Sequence, residues 1–237
     1  MPFDGKDFVI DCSDGIGRQL YYFGTLDRHV FSFLDTYLRP GFNVVDVGAN
    51  IGMYAYFAAK RVAPEGLVVG FEPNSGVFSR LQINADLPNV RLLKMAIGDR
   101  TGRVNLVVTE DSAKSFDDRN GASTKAVTVE CRTLDPFIAT DFGVDNVDYL
   151  KVDTEGFDYF VLLGAEALFR KQAVGLLQIE CTANNVEIYD FLRDHGYRLC
   201  DLVPGHGMVP VESAAHLPFN GFAFRPDLAD QWVNTND

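Results

Sequence analysis

A chain of 237 residues, 47% hydrophobic and 23% charged, has globular proportions, and its length suits one large domain, residues 1–237, better than two independent ones. Its 33 acidic against 21 basic residues leave a formal charge of −12, a field that repels phosphate backbones and disfavours a nucleic-acid substrate. Cys12, Cys131, Cys181 and Cys200 form no CxxC pair, and neither a basic-then-apolar leader nor an apolar run of roughly 18 residues is present, so reduced thiols, no transmembrane segment and a cytoplasmic setting are expected.

In chain order, Thr25 is the expected N-cap of a helix running to about Leu38 and stopped by Pro40-Gly41. Tyr21, Tyr22 and Phe23 precede it and are expected to pack it onto the sheet, the alternative being a lid. Residues 1–40 thus form a helical cap, and 41–237 the core. Asn43 to Val47 reads as a buried strand, Met53 to Val62 as a helix, Leu67 to Phe71 as a second strand and Ser75 to Asp86 as a second helix. Val90 to Ile97 reads as a third strand. Val104 to Thr109 and Ala126 to Cys131 alternate like strands around the polar stretch Glu110 to Lys125, an inserted β excursion with an exposed loop. Tyr149 to Val152 and Leu176 to Ile179 resume the series, with helices at Asp158 to Phe169 and Asn185 to His195. Tyr197 to Leu202 and Gly221 to Phe224 read as an antiparallel hairpin across the loop Pro204 to Asn220. Short apolar runs alternating with helices predict an α/β fold: a mostly parallel central sheet with helices on both faces.

The chemistry-bearing residues collect at the carboxyl ends of these strands, where open α/β sheets bind ligands. Gly48 and Gly52 sit in the turn between the first core strand and its helix, with Asp46 at the strand end. Glu72 ends the next strand, where an acid accepts the two hydroxyls of a ribose. That pair indicates a nucleoside and leaves its chemistry open. Asp153 and Glu180 end later strands, and Glu155 follows in the loop. Such carboxylates can serve as general bases, orient an acceptor or hold a hard divalent cation. Their spacing demands no cation, so no metal is expected.

Five segments occur in order: DVGANIG (Asp46 to Gly52), FEPN (Phe71 to Asn74), AIGDRTG (Ala96 to Gly102), TLDPF (Thr133 to Phe137) and KVDTEGFD (Lys151 to Asp158). Together they resemble the FkbM-type S-adenosylmethionine-dependent methyltransferases. The resemblance implies a class I methyltransferase, Rossmann-like fold with a terminal antiparallel hairpin. It places Asp46, Gly48, Asn50 and Gly52 around the methionine part of S-adenosylmethionine, Glu72 on the ribose, and Ala96, Ile97 and Asp99 beside the adenine. It implies O-methylation of a sugar, glycolipid or natural-product hydroxyl. Its place at a strand's carboxyl end puts Asp153 foremost among the three catalytic candidates Asp153, Glu155 and Glu180. An NAD-dependent oxidoreductase is the rival enzyme, disfavoured by Asn50 where a glycine is expected. A non-catalytic cofactor-binding scaffold is the other alternative.

Overall fold

The computed structural model describes residues 1–13, 15–24, 27–108, 113–114 and 126–233. The chain opens with a small antiparallel pair, β1 (Pro2–Phe3) and β2 (Lys6–Asp7), then α1 (Gly15–Phe23) and α2 (Arg28–Tyr37). Next come β3 (Val44–Val47), α3 (Met53–Val62), β4 (Val68–Phe71), α4 (Ser75–Asn84) and β5 (Val90–Leu93). A side sheet is formed by β6 (Ala96–Ile97), β7 (Gly102–Val108), β8 (Ala113–Lys114) and β9 (Ala126–Arg132). The chain returns through α5 (Leu134–Phe142), β10 (Val147–Val152), α6 (Asp158–Gly164), α7 (Glu166–Arg170), β11 (Val174–Glu180) and α8 (Asn185–Asp194). It ends in β12 (Arg198–Val203), β13 (Gly207–Pro210), β14 (Asn220–Phe224) and α9 (Pro226–Trp232).

The main sheet runs β13-β12-β14-β11-β10-β3-β4-β5. From β11 to β5 all neighbours are parallel, and β14 inserts antiparallel between β11 and β12. Strand alternation splits the core into two layers. Val44, Tyr149 and Leu176 face a cluster with α2 and α3, while Val45, Val47, Leu150, Val152, Leu177 and Ile179 face α5, α6, α7 and α8. These strands are buried on both faces, which explains their near-continuous apolar sequence.

Several boundaries differ from the sequence reading. The run Val90 to Ile97 divides, its first part in the main sheet and Ala96–Ile97 in the side sheet. The helix Asp158 to Phe169 breaks at Ala165, where the Asp135 carboxylate accepts the amides of Ala167 and Leu168 at 2.6 and 3.0 Å and starts a new helix. The loop Pro204 to Asn220 contains β13, paired with β12. Tyr21, Tyr22 and Phe23 point to solvent at 65, 73 and 72% exposure, because Gly17 and Leu20 form the inward stripe of α1. Thr25 lies outside the described residues; α2 begins at Arg28 behind Asp27, whose side chain makes no cap bond. Of the stretch Glu110 to Lys125 only Ala113 and Lys114 are described, paired with β7.

Candidate active site

A cavity of about 550 Å³ opens at the carboxyl ends of β3, β4, β10 and β11, the position and size expected of a small-molecule site in such a sheet. Ser13, Ile16 and Gln19, from the N-terminal segment and α1, form one wall. Phe219 and Asn220 at the start of β14 form another.

The turn after β3 is held from within. Gly48 and Ala49 donate their amides to the Phe71 carbonyl at 2.9 Å each. Asn50 donates to Glu72 Oε2 at 3.1 Å, Ile51 to its neighbour's side chain, Asn50 Oδ1, at 2.8 Å, and Gly52 to the Ala49 carbonyl at 2.9 Å. Gly48, Asn50 and Gly52 all have positive φ, at 81, 49 and 93°, a region open to Gly and tolerated by Asn. The glycines also permit close packing against protein. A Cβ at Gly48 would lie 1.8 Å from the Asp153 carbonyl oxygen, and one at Gly52 would lie 2.7 Å from Leu81 Cδ1.

Glu72, 6% exposed, accepts Asn50 N–H on Oε2 and Asn74 N–H on Oε1 at 2.8 Å. Each oxygen keeps a second lone pair, and the side chain lines the cavity. Burial pushes its pKa up to about 7, the two amides opposing.

Strand register builds a polar row across the buried face beneath α3: Asp46 on β3 pairs with Lys151 on β10, which pairs with Gln178 on β11. Lys151 Nζ lies 2.9 Å from Asp153 Oδ2 and 3.7 Å from Asp46 Oδ1, and 4.7 Å from the Tyr54 ring centre. Burial works against its charge, yet Asp153, Asp46 and Asp27 together hold its pKa above the ordinary lysine value. Asp46 is 1% exposed and neither of its oxygens has a hydrogen-bond partner. Desolvation raises its pKa, and Lys151 counteracts. The Tyr54 hydroxyl donates to Asp27 Oδ2 at 2.9 Å and receives Gln178 Nε2 at 3.3 Å, while Tyr149 donates to Gln178 Oε1 at 2.6 Å.

The loop after β10 is shaped by Asp158, which accepts Thr154 N–H and Oγ1–H at 2.9 and 3.0 Å and Gly156 N–H at 3.0 Å. The sharp turn puts Glu155 at φ 56° and sets Asp153 and Glu155 on the cavity wall with Glu180. Glu180 is 5% exposed, and its Oε2 has no hydrogen-bond partner.

Among the residues singled out from sequence, the structure gathers Gly48, Asn50, Glu72, Ala96, Ile97, Asp153, Glu155 and Glu180 around one cavity. Asp46 and Gly52 lie behind that wall. Asp99 also lies off it, with Arg100 at 3.7 Å. Sequence reasoning did not single out Lys151, Tyr54, Asp27 and Gln178, of which Lys151, Tyr54 and Asp27 line the cavity. The available signal was Lys151 inside the buried run Tyr149 to Val152, since a buried cation requires an anionic neighbour. Among the described residues no cluster of three or more His, Cys, Asp or Glu has metal-holding geometry, and no helix is long and apolar enough to cross a membrane.

A family model of the methyltransferase FkbM domain matches residues 46–199. The chain is 26% identical over 84% of its length to the antimetabolite synthetase AmbE of Pseudomonas aeruginosa, of which it spans 11%. It is 29% identical over 52% of its length to methyltransferase sdnD of Sordaria araneosa and to methyltransferase 1 of Beauveria bassiana, spanning 60% and 58% of them. It therefore spans less than two thirds of each of these relatives. Among solved structures, an S-adenosylmethionine-dependent O-methyltransferase of Thermotoga maritima is similar with a TM-score of 0.49 and 14% identity, covering 94% of this chain and 72% of that one. The fibrillarin of Aeropyrum pernix, with natively bound S-adenosylmethionine, is similar with a TM-score of 0.46 and 16% identity, covering 82% and 72%. Both likenesses concern shape alone. The family match covers well over half the chain and starts at Asp46, so this protein belongs to the FkbM methyltransferase family, whose methyl donor is S-adenosylmethionine.

Proposed function

We propose that this chain carries the methyl group of S-adenosylmethionine to a hydroxyl oxygen of a sugar, glycolipid or natural product. One observation carries the reading: a single cavity joins a nucleoside-type wall, Glu72 with apolar Ala96 and Ile97, to a carboxylate wall of Asp153, Glu155 and Glu180. The residues suit the donor. Its sulfonium and ammonium are cations, and the cavity is predominantly acidic. Glu72 keeps one lone pair per oxygen for the ribose hydroxyls. Ala96 and Ile97 supply an apolar face for the adenine, and the Gly48 to Asn50 backbone flanks the methionine part. Asp46 acts from behind the wall, through Lys151.

The donor supplies a methyl group activated towards direct displacement. The chain holds the acceptor oxygen in line with it, keeps water from the cavity and receives the acceptor's proton on a carboxylate. A net charge of −12 suits an uncharged acceptor better than a polyanion.

The test incubates the protein with methyl-labelled S-adenosylmethionine and a panel of methyl glycosides, phenols and macrolide polyols, with amines, thiols and RNA alongside. Label recovered as a base-stable methyl ether is the expected result. Label on amine, thiol or RNA in preference to hydroxyls overturns the reading, as does cofactor binding with transfer to no acceptor.

A further inference from the structure

Glu180 closes β11, and the register pairing Val152 with Ile179 sets it beside Asp153 at the end of β10. It pairs in register with Asn220 of β14, so its carboxylate stands between two strand ends on the cavity wall. Its buried Oε2 has no partner, and a buried acceptor in that condition calls for an explanation, of which a ligand hydrogen is one. Asp153 is in the opposite situation. Its side chain is 40% exposed, and Oδ2 is held 2.9 Å from an ammonium that is itself buried. Protonating Asp153 would weaken the nearest anionic partner of Lys151.

We propose that Glu180, and not Asp153, receives the proton of the acceptor hydroxyl. The inference rests on the methyl-transfer reading above. In the step, the acceptor O–H bond breaks as its oxygen bonds the methyl carbon, the carbon–sulfur pair stays with sulfur, and the proton passes to the Glu180 carboxylate. The groups facing Glu180 suit it to this role. Burial raises its pKa, and the like charges of Asp153, Asp158 and Glu155 raise it further against the opposing charge of Lys151, to about 8. A base near neutrality combines adequate ionisation with proton affinity better than an ordinary carboxylate does.

Calorimetry of S-adenosylmethionine and S-adenosylhomocysteine at pH 7.5, in buffers of different ionisation heat, counts protons released on binding. Glu72 meets the ribose common to both, so its contribution cancels in the difference. Only the methylated form carries the sulfonium charge that favours ionised Glu180, so it is expected to release more protons. Glu180→Gln removes that difference and leaves S-adenosylhomocysteine affinity in place, while Asp153→Asn, which takes away one of the like charges that raise Glu180, narrows the difference without abolishing it. On the best hydroxyl acceptor of the panel, Glu180→Gln slows single-turnover transfer by about 10²–10⁴-fold and abolishes the rise in rate towards pH 8. Equal proton release with both nucleosides, or a Glu180→Gln protein transferring at the wild-type rate, overturns this inference alone. Failure to bind either nucleoside overturns the methyl-transfer reading and the inference with it.

Discussion

Glu72 and Gly48 show how differently neighbouring site residues act. Glu72→Ala is expected to lower affinity for S-adenosylhomocysteine by ten- to a hundredfold, from about 1.5–3 kcal/mol of charge-assisted hydrogen bonding. Because its carboxyl ionises only near pH 7, wild-type affinity should rise as pH increases through that value and level off above it. Calorimetry from pH 6 to 8.5 checks both, and a pH-independent affinity unaltered by the substitution would remove Glu72 from the ribose. Gly48 belongs to packing. Gly48→Ala places a Cβ against the Asp153 carbonyl at a backbone φ of 81°, combining about 1–3 kcal/mol of overpacking with about 1–2 kcal/mol of left-handed strain. A lower midpoint in urea is expected. A variant of wild-type stability that no longer binds nucleoside would show instead that the position serves ligand approach. Glu72 and Glu180 were legible in sequence as acids ending apolar runs. The contact between Gly48 and Asp153 was not, since it joins loops distant in the chain.

Elements are tied to the site by a few buried polar groups. Asn84, wholly buried at the end of α4, accepts Val9 N–H at 2.7 Å and donates to the carbonyls of Val9 and Ile51 at 3.0 and 2.9 Å. It fastens the N-terminal segment to the turn after β3, and Arg80 reinforces the link through Asp11 at 2.9 Å. Asn84→Leu leaves three backbone groups without partners, each costing about 1–3 kcal/mol if it stays buried. The expected result is a lower unfolding midpoint and faster proteolytic cleavage ahead of α2. Unchanged values for both would mean that the segment is held elsewhere. The motif TLDPF has a comparable structural purpose, because Asp135 caps α7. Sequence periodicity read Asp158 to Phe169 as one helix because the cap that divides it comes from another part of the chain.

At the scale of the whole molecule, buried acids set the pH response. Glu72 and Glu180 keep their protons to about pH 7 and 8 when folded, against an ordinary value of 4.5. Between about 4.5 and 8 the folded state therefore binds more protons than the unfolded chain, and stability falls as pH rises through that window. Tm should be higher at pH 5.5 than at pH 8.5, by about 2–4 °C for each kcal/mol in a chain of this size. Scanning calorimetry reads this, with a shallower dependence expected for Glu72→Gln, and a Tm that climbs across the range would contradict it. Lys151 does not contribute there, because its raised pKa keeps it charged in both states across these values. The α/β class, the parallel strand series and the acids at strand ends are legible in the chain alone, because side-chain periodicity and turn chemistry act over a few residues. It takes the folded chain to bring Asp46, Lys151 and Gln178 into one row, to put β14 between β11 and β12, and to engage Asp153 with a buried ammonium while Glu180 Oε2 has no hydrogen-bond partner. Those outcomes depend on register between segments far apart in the chain, where a one-residue slip would turn each of these side chains to the opposite face.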